Sequence, residues 1–225
     1  MKTSNFTELF SSTFPFWEKM SEDDRDLFLR TSQSISFKRG TNIHDGNECT
    51  GVILIKRGSL RMYIVSEEGK EITLLRLFPG SMCILSASCV LSEVTFDVFV
   101  DAEEESECVI VGGCAYEDLS RRMPEARIFA QEQALLAFSD IMWVMQQILF
   151  MSMDKRLAIF LLDECAATGS DTVHLTHEQI AKYMGTAREV VSRMVKYFST
   201  EGLVSASRSE GIRLLDKKRL RSLAK

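Results

Sequence analysis

The sequence predicts an α+β chain: a glycine-punctuated β-barrel or jelly roll, then a long amphipathic helix, then a C-terminal winged helix-turn-helix. Three observations carry this. Between about Ser34 and Val111, short β-branched runs alternate with Gly40, Gly46, Gly51, Gly58, Gly69 and Gly80, the spacing of a compact antiparallel barrel. From Pro124 to about Met151 apolar residues recur at heptad positions. Beyond Leu175, two capped amphipathic helices around a glycine are followed at once by a strand, a turn and a second strand.

Composition bounds the possibilities. The chain has 225 residues, 45% of them hydrophobic, enough for one large or two ordinary packed domains. Its net charge of −5 is unevenly spread. From Met153 onward there are 13 Lys and Arg against 9 Asp and Glu, a balance of +4, which leaves −9 for the rest. Such asymmetry suits a chain that offers its C-terminal end to phosphate. No basic-then-apolar leader opens the chain, and the longest apolar stretch, Ile141 to Met151, is interrupted by Gln146 and Gln147. That is short of the roughly 20 residues a bilayer needs, so a cytoplasmic protein without a membrane partner is expected. In that compartment the six cysteines are expected reduced, most of them as buried thiols. None forms a CxxC pair, which argues against a zinc ribbon.

Taken in order, residues 1 to about 30 read as short helices rich in Phe and Trp, one of them opened by Ser21 and an acidic first turn. Strands follow at Cys49–Lys56, Leu60–Val65, Glu71–Leu77, Thr95–Val100 and Glu107–Val111. Tyr116–Met123 reads as a short helix, and Pro124 suits the first turn of the next. In that long helix Ile128, Leu135, Met142 and Leu149 hold one heptad position, Phe138 and Met145 the other. Two covers for this stripe stand open: a parallel homodimer, or the barrel of the same chain. Trp143, Val144 and Ile148 add enough apolar surface for both. After a break near Ser152, Met153–Ala167 begins a further helix. The expected division is a barrel domain over 1–123, a dimerisation helix over 124–152 and a winged helix-turn-helix domain over 153–225.

In the last part, Thr176 with Gln179 forms a capping box, Gly185 can take the positive φ that ends a helix, and Ala181 is small enough for a close helix crossing. Thr186 with Glu189 predicts a second box. On the second helix Arg188, Glu189, Ser192, Arg193 and Lys196 share one arc, while Ala187, Val190, Val191, Met194, Val195 and Phe198 fill the other. The wing is read as strand Gly202–Ser207, turn Arg208–Gly211 and strand Ile212–Leu215. A helix pair of this kind places its second helix in the DNA major groove.

The run GTAREVVSRMVK from Gly185, together with GVILIKRGSLRMY from Gly51 and GKEITLLRLFPG from Gly69, resembles the cyclic AMP receptor protein and fumarate-nitrate regulator (Crp/Fnr) family over nearly the whole chain. The resemblance implies a cyclic-nucleotide-binding-like sensor barrel and a homodimer on inverted-repeat double-stranded DNA. RNA polymerase would be a further partner. Carried over by position, Arg188 and Arg193 would meet guanines, Glu189 a cytosine amine, and Ser192 a base edge; Thr176, Thr186, Lys196, Ser207 and Arg208 would meet phosphates.

The sensor half departs from the family at the phosphate cassette. After Gly80 comes Ser81-Met-Cys-Ile-Leu-Ser-Ala-Ser-Cys-Val, with no Arg or Lys between Arg76 and Arg121. Cyclic AMP is therefore not the expected effector. The resemblance implies that an iron–sulfur member would carry a cysteine cluster near its N-terminus; no cysteine precedes Cys49, so that cofactor is not expected either. Met82, Cys83, Ser86, Cys89, Met142 and Met145 are the candidate effector pocket. For Cys83 and Cys89, on a segment that can be written as a helix, two readings compete: a thiol or metal sensor with His44 or Cys49 assisting, and plain packing. Haem or a small apolar ligand stays open. A cupin-like metal enzyme is disfavoured, since His44 is the sole barrel histidine and such sites need about three clustered ligands. A thiol or metal sensor whose C-terminal domain binds protein rather than DNA is the remaining alternative.

Overall fold

A computed structural model of the chain describes residues 4–46, 48–91, 97–207 and 210–225. Its contacts gather into two compact units, Met1–Val65 with Leu74–Ile141, and Ser66–Thr73 with Met142–Lys225.

The first unit starts with helix α1 (Ser4–Thr13), a single 3-10 turn at Trp17–Lys19, and α2 (Glu22–Thr31). Ser21 caps α2 by accepting from the Asp24 amide at 3.1 Å, and Glu22, Asp23 and Asp24 lie at its positive end, as the sequence predicts. These elements present Phe10, Phe14, Phe16, Trp17 and Phe28 as one buried aromatic cluster. Tyr116 and Phe129, from the two helices that follow the barrel, join it, with ring centroids 5.4–6.5 Å apart across the set. Edge-to-face pairs of this kind each add about 0.5–1.5 kcal/mol beyond their area.

Two four-stranded sheets form the barrel. One runs β1 (Gln33–Phe37), β8 (Ser106–Val111), β3 (Val52–Arg57), β6 (Met82–Cys83); the other runs β2 (Asn42–His44), β7 (Phe99–Ala102), β4 (Leu60–Val65), β5 (Glu71–Leu77). Pairing is antiparallel and its register puts apolar residues opposite one another: Ile53 faces Ile110, Leu54 faces Val109, and Met62 faces Val100. β4 and β5 keep the bounds read from the sequence. The strand predicted at Thr95–Val100 is observed over Phe99–Ala102, its first residues lying outside the described ones. β1, β2 and β6 were not predicted, being short, polar or at a sheet edge. The segment after Cys83 is a series of turns rather than the helix the sequence allowed, because Ser86 is drawn into the core to bond backbone carbonyls.

From β8 the chain enters α3 (Gly113–Arg122) and, across Met123, the 27-residue α4 (Pro124–Phe150). Ala126 and Ala130 are buried, and the buried Tyr116 hydroxyl donates to the Ala126 carbonyl at 3.1 Å, tying α3 to the start of α4. The heptad residues face water on the single chain: Leu135 is 67% exposed, Phe138 55% and Leu149 62%, with Ile128 and Met142 also exposed and Met145 partly buried. Within the first unit, packing against the barrel does not occlude Ile128, Leu135 or Phe138. Continuous from Pro124, α4 is also long and apolar enough to cross a membrane by length and composition alone, a possibility that the run 141–151 understates.

The cysteines depart from the expected set of reduced thiols at one pair. Cys49 and Cys89 form a disulfide, 40 residues apart in sequence and 5.8 Å between Cα atoms. Cys83, Cys108 and Cys165 are free and buried, and Cys114 is free and exposed.

The second unit holds α5 (Met153–Thr168), β9 (Thr172–Val173), α6 (His177–Met184), α7 (Arg188–Thr200), β10 (Val204–Ser207), β11 (Gly211–Leu214) and α8 (Lys217–Leu223). Leu157, Leu161, Ile180, Val191, Val195, Phe198, Val204, Ile212 and Leu220 share its core. β10 and β11 pair antiparallel and β9 adds a third strand.

Candidate nucleic-acid interface

α6 begins where its sequence says it must. The Thr176 hydroxyl accepts from the Gln179 amide at 3.1 Å, and the Gln179 side chain accepts from the Thr176 amide at 2.9 Å, so both halves of the box are made. It ends at Gly185, whose φ of 60° lets the Thr186 amide reach back to Ala181 O (3.0 Å) and the Gly185 amide to Lys182 O (3.4 Å). This is a Schellman closure, and it fixes the angle at which the chain leaves for α7.

The second capping box is not formed. Ala187, not Thr186, is the N-cap of α7, and no side chain caps its amides. Thr186 stands one residue too early to reach them, since its backbone is already engaged in closing α6.

α7 divides its residues as the projection requires, with one change. Val191, Val195 and Phe198 are buried, Val190 and Met194 partly so, while Arg188, Glu189, Ser192, Arg193 and Lys196 are exposed. Ala187, assigned to the packed face, is exposed because it precedes the first helical turn. Of the remaining candidates, Thr176 and Ser207 are exposed and Thr186 is partly so; Arg208 lies outside the described residues. Ser207 Oγ accepts from the Glu210 amide at 3.1 Å. His177, at the first position of α6, is held below the usual imidazole range by burial and by the Arg188 guanidinium, so it is neutral at neutral pH.

One residue outside the sequence motif supports this surface. Arg156 on α5 donates to the Met184 carbonyl at the last turn of α6. Partial burial lowers its affinity for its proton. A basic residue at the start of α5 carries no spacing signal that would have singled it out.

In the barrel, Cys83 and Ser86 are buried and Met82 is partly so. Ser86 Oγ donates to Gly51 O at 2.8 Å and to Cys83 O at 3.1 Å, and burial pushes the Cys83 thiol up. Cys89 is bonded to Cys49 and not associated with Cys83. Met142 and Met145, the other candidates for an effector pocket, group with the second unit. Among the described residues no three His, Cys, Asp or Glu side chains converge as metal ligands.

Residues 155–223 match the model of the Crp-like helix-turn-helix domain. A crystal structure of a putative transcriptional regulator of the crp/fnr family from Eubacterium rectale is 41% identical, covers 95% of this chain and 99% of that one, and superposes with a TM-score of 0.87. The chain belongs to the Crp/Fnr family.

The fold of one further solved structure and the sequence of one curated protein are also similar. FixK2 from Bradyrhizobium japonicum is 17% identical with a TM-score of 0.69, covering 86% of this chain and 98% of that one. The cAMP-activated global transcriptional regulator Vfr of Pseudomonas aeruginosa is 24% identical over 176 residues, 74% of this chain and 81% of its own. As a Crp/Fnr regulator the chain is a transcription factor with a helix-turn-helix DNA-binding domain, and the enzyme reading of its barrel is set aside.

Proposed function

We propose that this regulator works in the cytoplasm as a homodimer paired along α4, setting two copies of α7 into successive major grooves of an inverted-repeat operator. The observation that carries this is the outward arc of Arg188, Glu189, Ser192, Arg193 and Lys196 set against the buried Val191, Val195 and Phe198. Arginine forks at 188 and 193 suit guanine O6 and N7, Glu189 accepts from a cytosine amine, and Ser192 meets either. Thr176, Thr186, Lys196, Ser207 and Arg208 hold phosphates and set register. RNA polymerase is the further partner that the family resemblance supplies. The alternative of a protein-binding C-terminal domain predicts that Arg188→Ala with Arg193→Ala leaves partner binding intact.

The barrel senses something other than cyclic AMP. A relative is cAMP-activated by name, but here no Arg or Lys lies between Arg76 and Arg121, the stretch that holds Gly80 and the segment after it. The preceding basic residues on β4 and β5 are engaged: Arg61 is buried with its guanidinium 4.2 Å from the Tyr63 ring centroid, and Arg76 pairs with Glu103 at 2.9 Å. Burying a phosphate without a counter-charge costs on the order of several kcal/mol. An iron–sulfur cluster likewise lacks an N-terminal cysteine set.

Selection of bound duplexes from a random pool tests the reading. An inverted repeat is expected, and Arg188→Ala or Arg193→Ala is expected to weaken it by about 1–3 kcal/mol while relaxing one base position, with the melting temperature unchanged. No enrichment, or enrichment indifferent to both arginines, overturns it. Millimolar cyclic AMP is expected to leave affinity unchanged; a sharp rise overturns the effector statement.

A further inference from the structure

The disulfide is placed where a change in its state must be felt by a helix. Cys49 lies in the loop before β3 and Cys89 in the turns after β6, and both are partly accessible. Their sulfurs rest on the first residue of α3: a Cβ on Gly113 would collide with both Sγ atoms, so only glycine fits there. Sulfur at a helix N-terminus is stabilised as thiolate, which is the reacting form and the better leaving group.

Two further contacts bear on reversibility. The Thr50 amide donates to Ser86 O at 3.1 Å and the Ser86 hydroxyl to Gly51 O at 2.8 Å, so two hydrogen bonds join the cysteine loops independently of the S–S bond. The bond can therefore reform. On the output side, α3 is tied to α4 by the bond from Tyr116 to Ala126 O and by the short connection at Met123.

We propose that Cys49 and Cys89 are a reversible thiol–disulfide site, exchanging with low-molecular-weight thiols and their disulfides, whose state sets the position of α3 and through it the start of α4. In reduction, a small-molecule thiolate attacks one sulfur, the Cys49–Cys89 bond breaks, and the departing cysteine thiolate takes up a proton. A second small thiol attacks the mixed disulfide, leaving the other cysteine as a thiol and releasing the small molecules as their own disulfide. Two electrons have passed from the two small thiols to the pair. Once the bond is broken the two sulfurs are no longer held together and their loops can shift, and the side of the pair occupied by Gly113 offers no slack. The α3 N-terminus must yield. This deepens the sensor reading above by naming the class of signal, and rests on it only for coupling to DNA.

The full-length wild-type protein is held in glutathione buffers of defined reduced-to-oxidised ratio, alkylated without denaturant, and mapped by mass. Cys49 and Cys89 are expected to become reactive together and to be protected again on oxidation, while the exposed Cys114 reacts in both states. Hydrogen exchange of the Gly113–Leu119 amides is expected to rise in the reduced form. Affinity for the selected operator is expected to differ about fivefold or more between states, and to lose that dependence in Cys89→Ser. If the pair resists reduction without denaturant, never reforms, or leaves exchange in α3 unchanged, the proposal is overturned. Equal DNA affinity in both states overturns the coupling. Failure to bind DNA in either state, with exchange still redox-dependent, instead overturns the regulator reading. The oxidised and reduced wild type suffice for all but one comparison, so a variant that fails to fold does not block the test.

Discussion

Thr176 closes the N-terminus of α6 with its hydroxyl while Gln179 returns the bond, so Thr176→Ala is expected to lower stability by about 1 kcal/mol, read as a lower midpoint of urea unfolding with an unchanged slope. His44 makes a pH-dependent contribution. It is buried with Nδ1 2.8 Å from Thr50 Oγ1, and burial holds its pKa below the usual imidazole value against the opposing pull of Asp45 and Asp97. A depressed folded pKa means that the stability is whole above about 6.5 and is lost as pH falls through the folded value. Melting temperature is expected to drop on acidification below that point, and to drop less in His44→Gln. What single residues disclosed in the sequence follows the same physics. Thr176, Gln179 and Gly185 were legible because local backbone chemistry decides them. Cys49 with Cys89 was not, because 40 residues of sheet topology bring them together.

At the scale of elements, α4 carries the clearest prediction. With Leu135 and Phe138 exposed on the single chain, a Leu135→Asp, Phe138→Asp variant is expected to sediment as a monomer at concentrations where the wild type is a dimer, with its barrel still folded by circular dichroism. A dimer that survives would place the contact elsewhere. Apolar runs bounded by glycine turns, such as β4 and β5, could be delimited in advance. Gln33–Phe37 and Met82–Cys83 could not, since one is polar and the other two residues long. The Cys83–Cys89 stretch, which the sequence allows as a helix, forms turns for a tertiary reason: the Ser86 hydroxyl bonds Gly51 O from across the fold.

For the whole molecule, the excess of base beyond residue 152 leads to the expectation that DNA binding releases counterions. The logarithm of the operator association constant is expected to fall linearly with the logarithm of salt, and Lys196→Ala to shallow the slope by about one unit without changing the preferred sequence. A slope untouched by Lys196→Ala would remove it from the phosphate set. The overall architecture was the most legible property of all, because periodicity changes from two to near three and a half and back along the chain. The sensed signal was the least, because it depends on which side chains meet inside a barrel.

The long apolar stripe left uncovered on one chain has a consequence for abundance. If two chains must find each other before either can hold an operator, occupancy at low expression rises with the square of chain number. A modest change in synthesis or degradation then moves transcription steeply with no change of ligand at all. How much of this protein the cell keeps becomes an input beside whatever its barrel detects.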